Sequence, residues 1–166
     1  MRKTLAVLAS TVAAAGLVAG SLATATASSA TSAASGTEHF SLMTTQPSAS
    51  KYVIIAHGVF TAGGVDTAGN STDTAKFANG SFKIHHGGKV KVVKEQLNQK
   101  TCLEEFVVKA KFTLGGGTGV YKGISGSGTA TISGLAIAAR SKGQCNPNAN
   151  PLQNEETISA TGHVKL

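Results

Sequence analysis

Chemistry has few places to reside in this chain. Its 166 residues hold two cysteines, five histidines and eight Asp or Glu, against fifteen Lys and Arg. A nucleophile elbow, Gly-x-Ser-x-Gly, holds a strained serine between a strand and a helix. The segment GISGS at residues 123–127 has Ser127 where the last glycine belongs, and no Asp or His stands at an informative position beside it, so serine hydrolysis is excluded. A phosphate loop ends in Lys-Ser or Lys-Thr and runs into a helix. The glycine-rich GGGTGVYKGISGSG, Gly115 to Gly128, does neither.

Metal and thiol chemistry are disfavoured on similar grounds. Neither Cys102 nor Cys145 is accompanied by Cys-x-x-Cys, His-x-x-x-His or clustered carboxylates, so no metal ion and no cofactor is expected. An even count of cysteines in an exported chain points instead to one disulfide, Cys102 to Cys145. His85 and His86 end a strand pattern just before Gly87-Gly88. Neighbours on a strand point to opposite faces, so the pair cannot chelate one ion side by side, and solvated turn histidines are expected.

Four side chains are candidates for a barrel interior or mouth. Glu104 shares parity with Phe106 and is directed inward near a strand end, where a carboxylate could have a raised pKa or could simply sit at the rim in water. His57 lies in the apolar strand KYVIIAHGVFTA and is expected to be buried as a hydrogen-bonded structural residue. Arg140 follows Ile132 and Ile137, which have opposite parity; a bulge near Gly134 would reconcile them, and the direction of Arg140 depends on it. Tyr121, with Val120 and Ile124, supplies the only large apolar groups of the glycine-rich stretch, and the three are expected to plug one end.

These residues must be positioned by strands. Alternation exceeds helical periodicity almost everywhere, most clearly in EEFVVKAKFTL, where Glu104, Phe106, Val108, Ala110, Phe112 and Leu114 share a face. The C-terminus repeats this, with Ile158, Ala160, Gly162, Val164 and Leu166 inward and Thr157, Ser159, Thr161, His163 and Lys165 outward. Further strand patterns are HFSLMT, KYVIIAHGVFTA, DTAKFA, SFKIHH, KVKVVKEQ and GTATISGLAIAAR. Asn79-Gly80 predicts a type I′ hairpin and Gly87-Gly88 a second turn. Little helix is expected beyond the N-terminal segment, and so many short strands suggest an all-β barrel or sandwich.

The ends of the chain set its compartment. Arg2 and Lys3 precede an apolar run from Leu5 to Leu22, followed by small residues, which reads as a secretory signal peptide over 1–27. A membrane anchor needs roughly 20 apolar residues, and this run is interrupted by Ser10, Thr11, Gly16 and Gly20. No later run is long enough to span, so a secreted, extracellular protein is expected. Residues 28–37 contain only Ser, Ala, Thr and Gly and are expected to form a disordered leader, with one domain over 38–166.

The glycine-rich stretch joins the strand ending at Leu114 to the one starting near Thr129. Its glycines serve geometry: positive φ in turns, and bends or close approach inside strands. LGGGTGVYKGISGSGTATI resembles the Gly-Gly-Thr-Gly-x-Tyr-x-Gly-x-x-Gly-x-Gly segment of allene oxide cyclase-like and dirigent-like barrel proteins, through Gly116, Gly117, Gly119, Gly123, Gly126 and Gly128. VIIAHGVFTAGG, the cysteine at 102 and the ending ISATGHVKL resemble small exported bacterial proteins with that barrel. The resemblance spans roughly 38–166 and implies an eight-stranded antiparallel β-barrel of calycin-like shape. It transfers no catalytic residue, being strongest in structural glycines.

The formal net charge is +7, and the chain is mildly basic even without Arg2 and Lys3. Lys89, Lys91, Lys109 and Lys111 fall on outward faces of two successive strand patterns and would form a basic stripe able to contact polyanions weakly. With no Trp and two Tyr, stacking platforms for nucleic acid or carbohydrate are scarce, and no specific nucleic-acid role is expected. The expected function is therefore a non-enzymatic binding or interaction module, its barrel holding a small apolar ligand or filled by side chains. The alternative is an isomerase-, cyclase- or dirigent-type enzyme acting on a hydrophobic molecule in the barrel. Oligomerisation is compatible with the resemblance, but no interface motif is recognisable.

Overall fold

The computed structural model describes residues 34–46 and 50–166. The expected signal peptide, 1–27, and residues 28–33 of the expected leader lie outside the described residues. The first strand, β1 (Ser35–Thr44), begins inside the segment expected to be disordered, because Ser35 to Thr37 pair with Lys165 to His163 of the last strand, β11 (Gln153–Lys165). A small-residue sequence with no apolar side chains of its own is ordered here by a backbone ladder.

Between them run β2 (Lys51–His57), β3 (Ala62–Thr67), β4 (Thr72–Phe77), β5 (Gly80–His86), β6 (Lys91–Asn98), β7 (Leu103–Gly115), β8 (Ser125–Ile137), β9 (Ala139–Ser141) and β10 (Gln144–Asn146). Eight strands close an antiparallel barrel in the order β5-β4-β3-β2-β1-β11-β8-β7, with β7 returning to β5. Closure leaves the ring without a free edge. Among the described residues the one helical element is a 3-10 turn at Gly119–Tyr121, and none of their helices is long and apolar enough to cross a membrane.

Three local expectations are corrected. KYVIIAHGVFTA is not one strand: β2 stops at His57, Gly58 takes φ +140°, and the chain returns as β3 in a hairpin. The hairpin expected at Asn79-Gly80 exists, but its loop is Ala78-Asn79, with Gly80 already paired to Phe77. Neither loop residue has positive φ, so the turn is not type I′. Gly87-Gly88 does not reverse the chain. His86 lies opposite Phe112 and Lys91 opposite Lys109, so β5 and β6 run end to end along the same edge of β7, with residues 87–90 bulging where β7 needs only two. Gly88, at φ +92°, permits that bulge.

One end of the barrel is filled. Phe40, Phe60, Phe77, Phe82 and Tyr121 meet with ring centroids 5.1 to 6.3 Å apart, and Ile124 packs with them. Tyr121 and Ile124 are plugs, as expected; Val120 is 65% exposed, because the 3-10 turn places neighbours on different sides. Glu38, fully buried, accepts the Phe60 N–H at 3.0 Å through Oε2, which pins the β2–β3 loop over this end. The burial that secures the loop also raises the Glu38 carboxyl pKa.

The glycine stretch is geometric. Gly119 takes φ +60°, and a Cβ there would lie 2.1 Å from the Asn79 carbonyl oxygen; at Gly117 it would lie 1.8 Å from that of Tyr121. Beyond the ring, β6, β7, β8 and β11 continue as an open sheet. The Cys102–Cys145 disulfide ties the β6–β7 turn at its far end to the β9–β10 hairpin, packing with Ala138 and Leu97.

Candidate functional site

The other half of the barrel is hollow. A cavity of about 440 Å³ opens there, in the range of small-molecule sites. Strand parity explains its lining: with Ile54 and Ala56 buried inside, Tyr52 is inward too, and with Ala160 and Val164 inside, so are Ile158 and Glu156. Leu42, Ile84, Phe112, Ala130, Ile132, Ile158 and Ala160 make an apolar wall. The space exists because β7, β8 and β11 present alanines at Ala110, Ala130 and Ala160, where the filled end has aromatic rings.

Against that wall stand three carboxylates. Asp66, on β3, is 1% exposed, and its Oδ1 has no hydrogen-bond partner. Burial, reinforced by the neighbouring Asp73 charge, pushes its pKa up to about 7. Asp73, on β4, accepts the Gly69 N–H at 2.9 Å through Oδ1, and the same oxygen lies 2.8 Å from His86 Nε2. Glu156 accepts the Tyr52 hydroxyl at 2.9 Å across β1. Burial raises both partners of that pair; for Tyr52 the Glu156 hydrogen bond and charge add to the rise. The cavity can thus hold an apolar body while offering acceptors on one side, with one carboxyl able to take or give a proton near neutrality.

None of the four candidates read from sequence lines this cavity. Tyr121 is inside the barrel, but in the filled end. His57 is exposed and stacks on His39 with ring centroids 4.9 Å apart, because β2 turns its even-numbered residues inward. Glu104 has the parity expected, opposite Leu97 and Ala136, but lies on the open sheet beyond the ring and does not line the cavity. Arg140 is exposed on β9 and donates to the carbonyls of Lys100 at 2.7 Å and Gly143 at 3.2 Å, bracing the turns beside the disulfide. No bulge occurs at Gly134: β8 pairs in unbroken register through Ile137, so Ile132 and Ile137 occupy opposite faces by simple alternation.

His86 corrects the reading of solvated turn histidines. The two rings do point to opposite faces, but His86 turns into the cavity toward Asp73, while His85, outside, lies 3.0 Å from Thr72 Oγ1. Tyr52 and Glu156 were open to the parity argument, whereas Asp66 sits in AGGVDT, whose adjacent glycines obscure a strand. Of the lysines, Lys91 and Lys109 are directly paired, and Lys89 and Lys111 border the cavity. Among the described residues, no group of three or more His, Cys, Asp or Glu is placed to hold a metal ion. Comparison of the chain with protein-family models, with curated proteins and with solved structures finds no match.

Proposed function

We propose that this protein is exported and binds a small, mainly apolar molecule in the hollow half of its barrel. The observation that carries this reading is a cavity of about 440 Å³ with an apolar wall, left open in a barrel whose other half is packed with aromatic rings. A barrel built only for stability gains by filling such a space. Export is supported by the N-terminal pattern of Arg2, Lys3 and the apolar run, and by a disulfide that an oxidising compartment would preserve.

Fluorescence titration with N-phenyl-1-naphthylamine tests it. The protein should enhance the probe's emission saturably, and Ala130→Phe, which fills the cavity, should weaken binding by about tenfold or more. Ile158→Phe provides a second filling change from another strand. Saturable binding undiminished by both variants, with the fold intact by circular dichroism, would place the ligand elsewhere and defeat the reading.

A second reading, isomerase or cyclase chemistry on the bound molecule, is favoured by one feature. Asp66, with its pKa near neutrality, stands close to the Asp73–His86 pair, so one carboxyl could accept a proton while another group returns it. The resemblance to allene oxide cyclase-like and dirigent-like barrels points the same way at the level of fold. If this reading holds, Asp66→Asn should abolish turnover of a cavity ligand while the cavity still takes up an uncharged apolar probe.

A further inference from the structure

We infer that the molecule held in this cavity carries an amine, seated as an ammonium group on Asp66; this rests on the apolar-ligand reading and adds the chemistry of the ligand's polar end. The acceptors on the cavity wall are unequally engaged. Asp73 Oδ1 already meets the Gly69 N–H and His86, and Glu156 receives the Tyr52 hydroxyl. Asp66 alone has a carboxylate oxygen, Oδ1, that is buried without a partner while the residue lines the cavity. A buried acceptor left unsatisfied is costly, and a donor brought by a ligand would remove that cost.

Charge selects among donors. Three carboxylates face the cavity, and the one cationisable group engaged with them is His86. A ligand carboxylate would add a like charge in a poorly solvated space. An alcohol would bring a single donor and no charge. An ammonium brings three donors and the opposite charge. Lys89 and Lys111, at the bulge and on β7, border the same cavity and repel a cation near themselves. The amine end is therefore favoured at Asp66, with the body against Ile84, Ile132 and Ile158.

The test uses one body and three heads: octylamine, 1-octanol and octanoate, each competing with N-phenyl-1-naphthylamine on the mature protein. Octylamine should bind about tenfold tighter than 1-octanol, with octanoate weakest, and Asp66→Asn should erase the preference for the amine while leaving 1-octanol within about twofold. The native protein gives a second readout without any variant. As pH rises from about 5.5 to 8, Asp66 ionises, so the ratio of octylamine to octanol affinity should increase. Equal binding of all three heads, a tighter octanoate, or an amine preference unchanged by Asp66→Asn and by pH would overturn the inference while leaving the apolar-ligand reading standing. Failure of every probe to bind would remove both.

Discussion

Tyr52 and Asp66 stand directly opposite each other across β2 and β3, yet Tyr52 gives its hydroxyl to Glu156 on the far side of β1 and leaves Asp66 Oδ1 without a partner. The stability of the fold should therefore depend on pH through Asp66. Its carboxyl titrates near 7 when folded and near 3.8 when exposed, so between those values the folded state holds more protons than the unfolded one. Stability is then greatest toward the acid side of this window and falls as pH rises toward 7. Asp66→Asn should stabilise the protein by roughly 1–3 kcal/mol at pH 8 and much less at pH 4. Urea melts of both proteins at the two pH values measure this; an equal effect at both would remove Asp66 as the cause.

Gly117→Val and Gly119→Val should each destabilise the fold by about 2–4 kcal/mol, since a side chain at Gly117 meets the Tyr121 carbonyl and one at Gly119 meets that of Asn79 at positive φ. Thermal denaturation is the readout. A glycine loop kept for ligand contact would instead lose affinity with its melting temperature unchanged.

The disulfide closes 43 residues of sequence and clamps the open end of the sheet rather than the barrel. Cys102→Ala with Cys145→Ala should lower stability by up to about 4 kcal/mol, mainly through the unfolded chain. Probe binding in the cavity should persist in the refolded variant under mild conditions, because none of Cys102, Ala138, Cys145 and Leu97, which packs against them, lines the cavity. Mass spectrometry of non-reduced peptides should recover the 102–145 link, and two free thiols in the folded protein would contradict it.

Lys91 and Lys109 lie directly opposite each other, a like-charge pair that a polyanion would relieve. Weak retention on heparin at low salt is expected, lost by about 0.5 M salt, where exposed charges are screened within a few Å. Lys89→Glu with Lys109→Glu should abolish it. Binding of the cavity probe should be insensitive to the same salt, so a probe affinity that collapsed with added salt would shift attention from the cavity to the lysines.

Alternation alone placed β7 and β11 and assigned their inner faces, because a half-buried strand repeats every two residues whatever its neighbours are. The glycines from Gly116 to Gly128 and the cysteine pair were equally legible, since positive φ and close backbone approach favour glycine, and two cysteines without metal-ligand neighbours point to one bridge. The rest depended on partners distant in sequence. Gly87-Gly88 has the composition of a turn, and only the common edge of β7 shows that β5 and β6 run on in one direction. His57 and Arg140 turn outward because the faces of β2 and β9 are set by the strands they join. The hollow half is decided furthest from the sequence: Ala110, Ala130 and Ala160 make room only because closure brings their strands around one axis, and Asp66 becomes a buried acceptor only when β2 and β4 enclose it. Whether a barrel is full or empty is a sum of side-chain volumes across the ring, and no stretch of a single strand contains that sum.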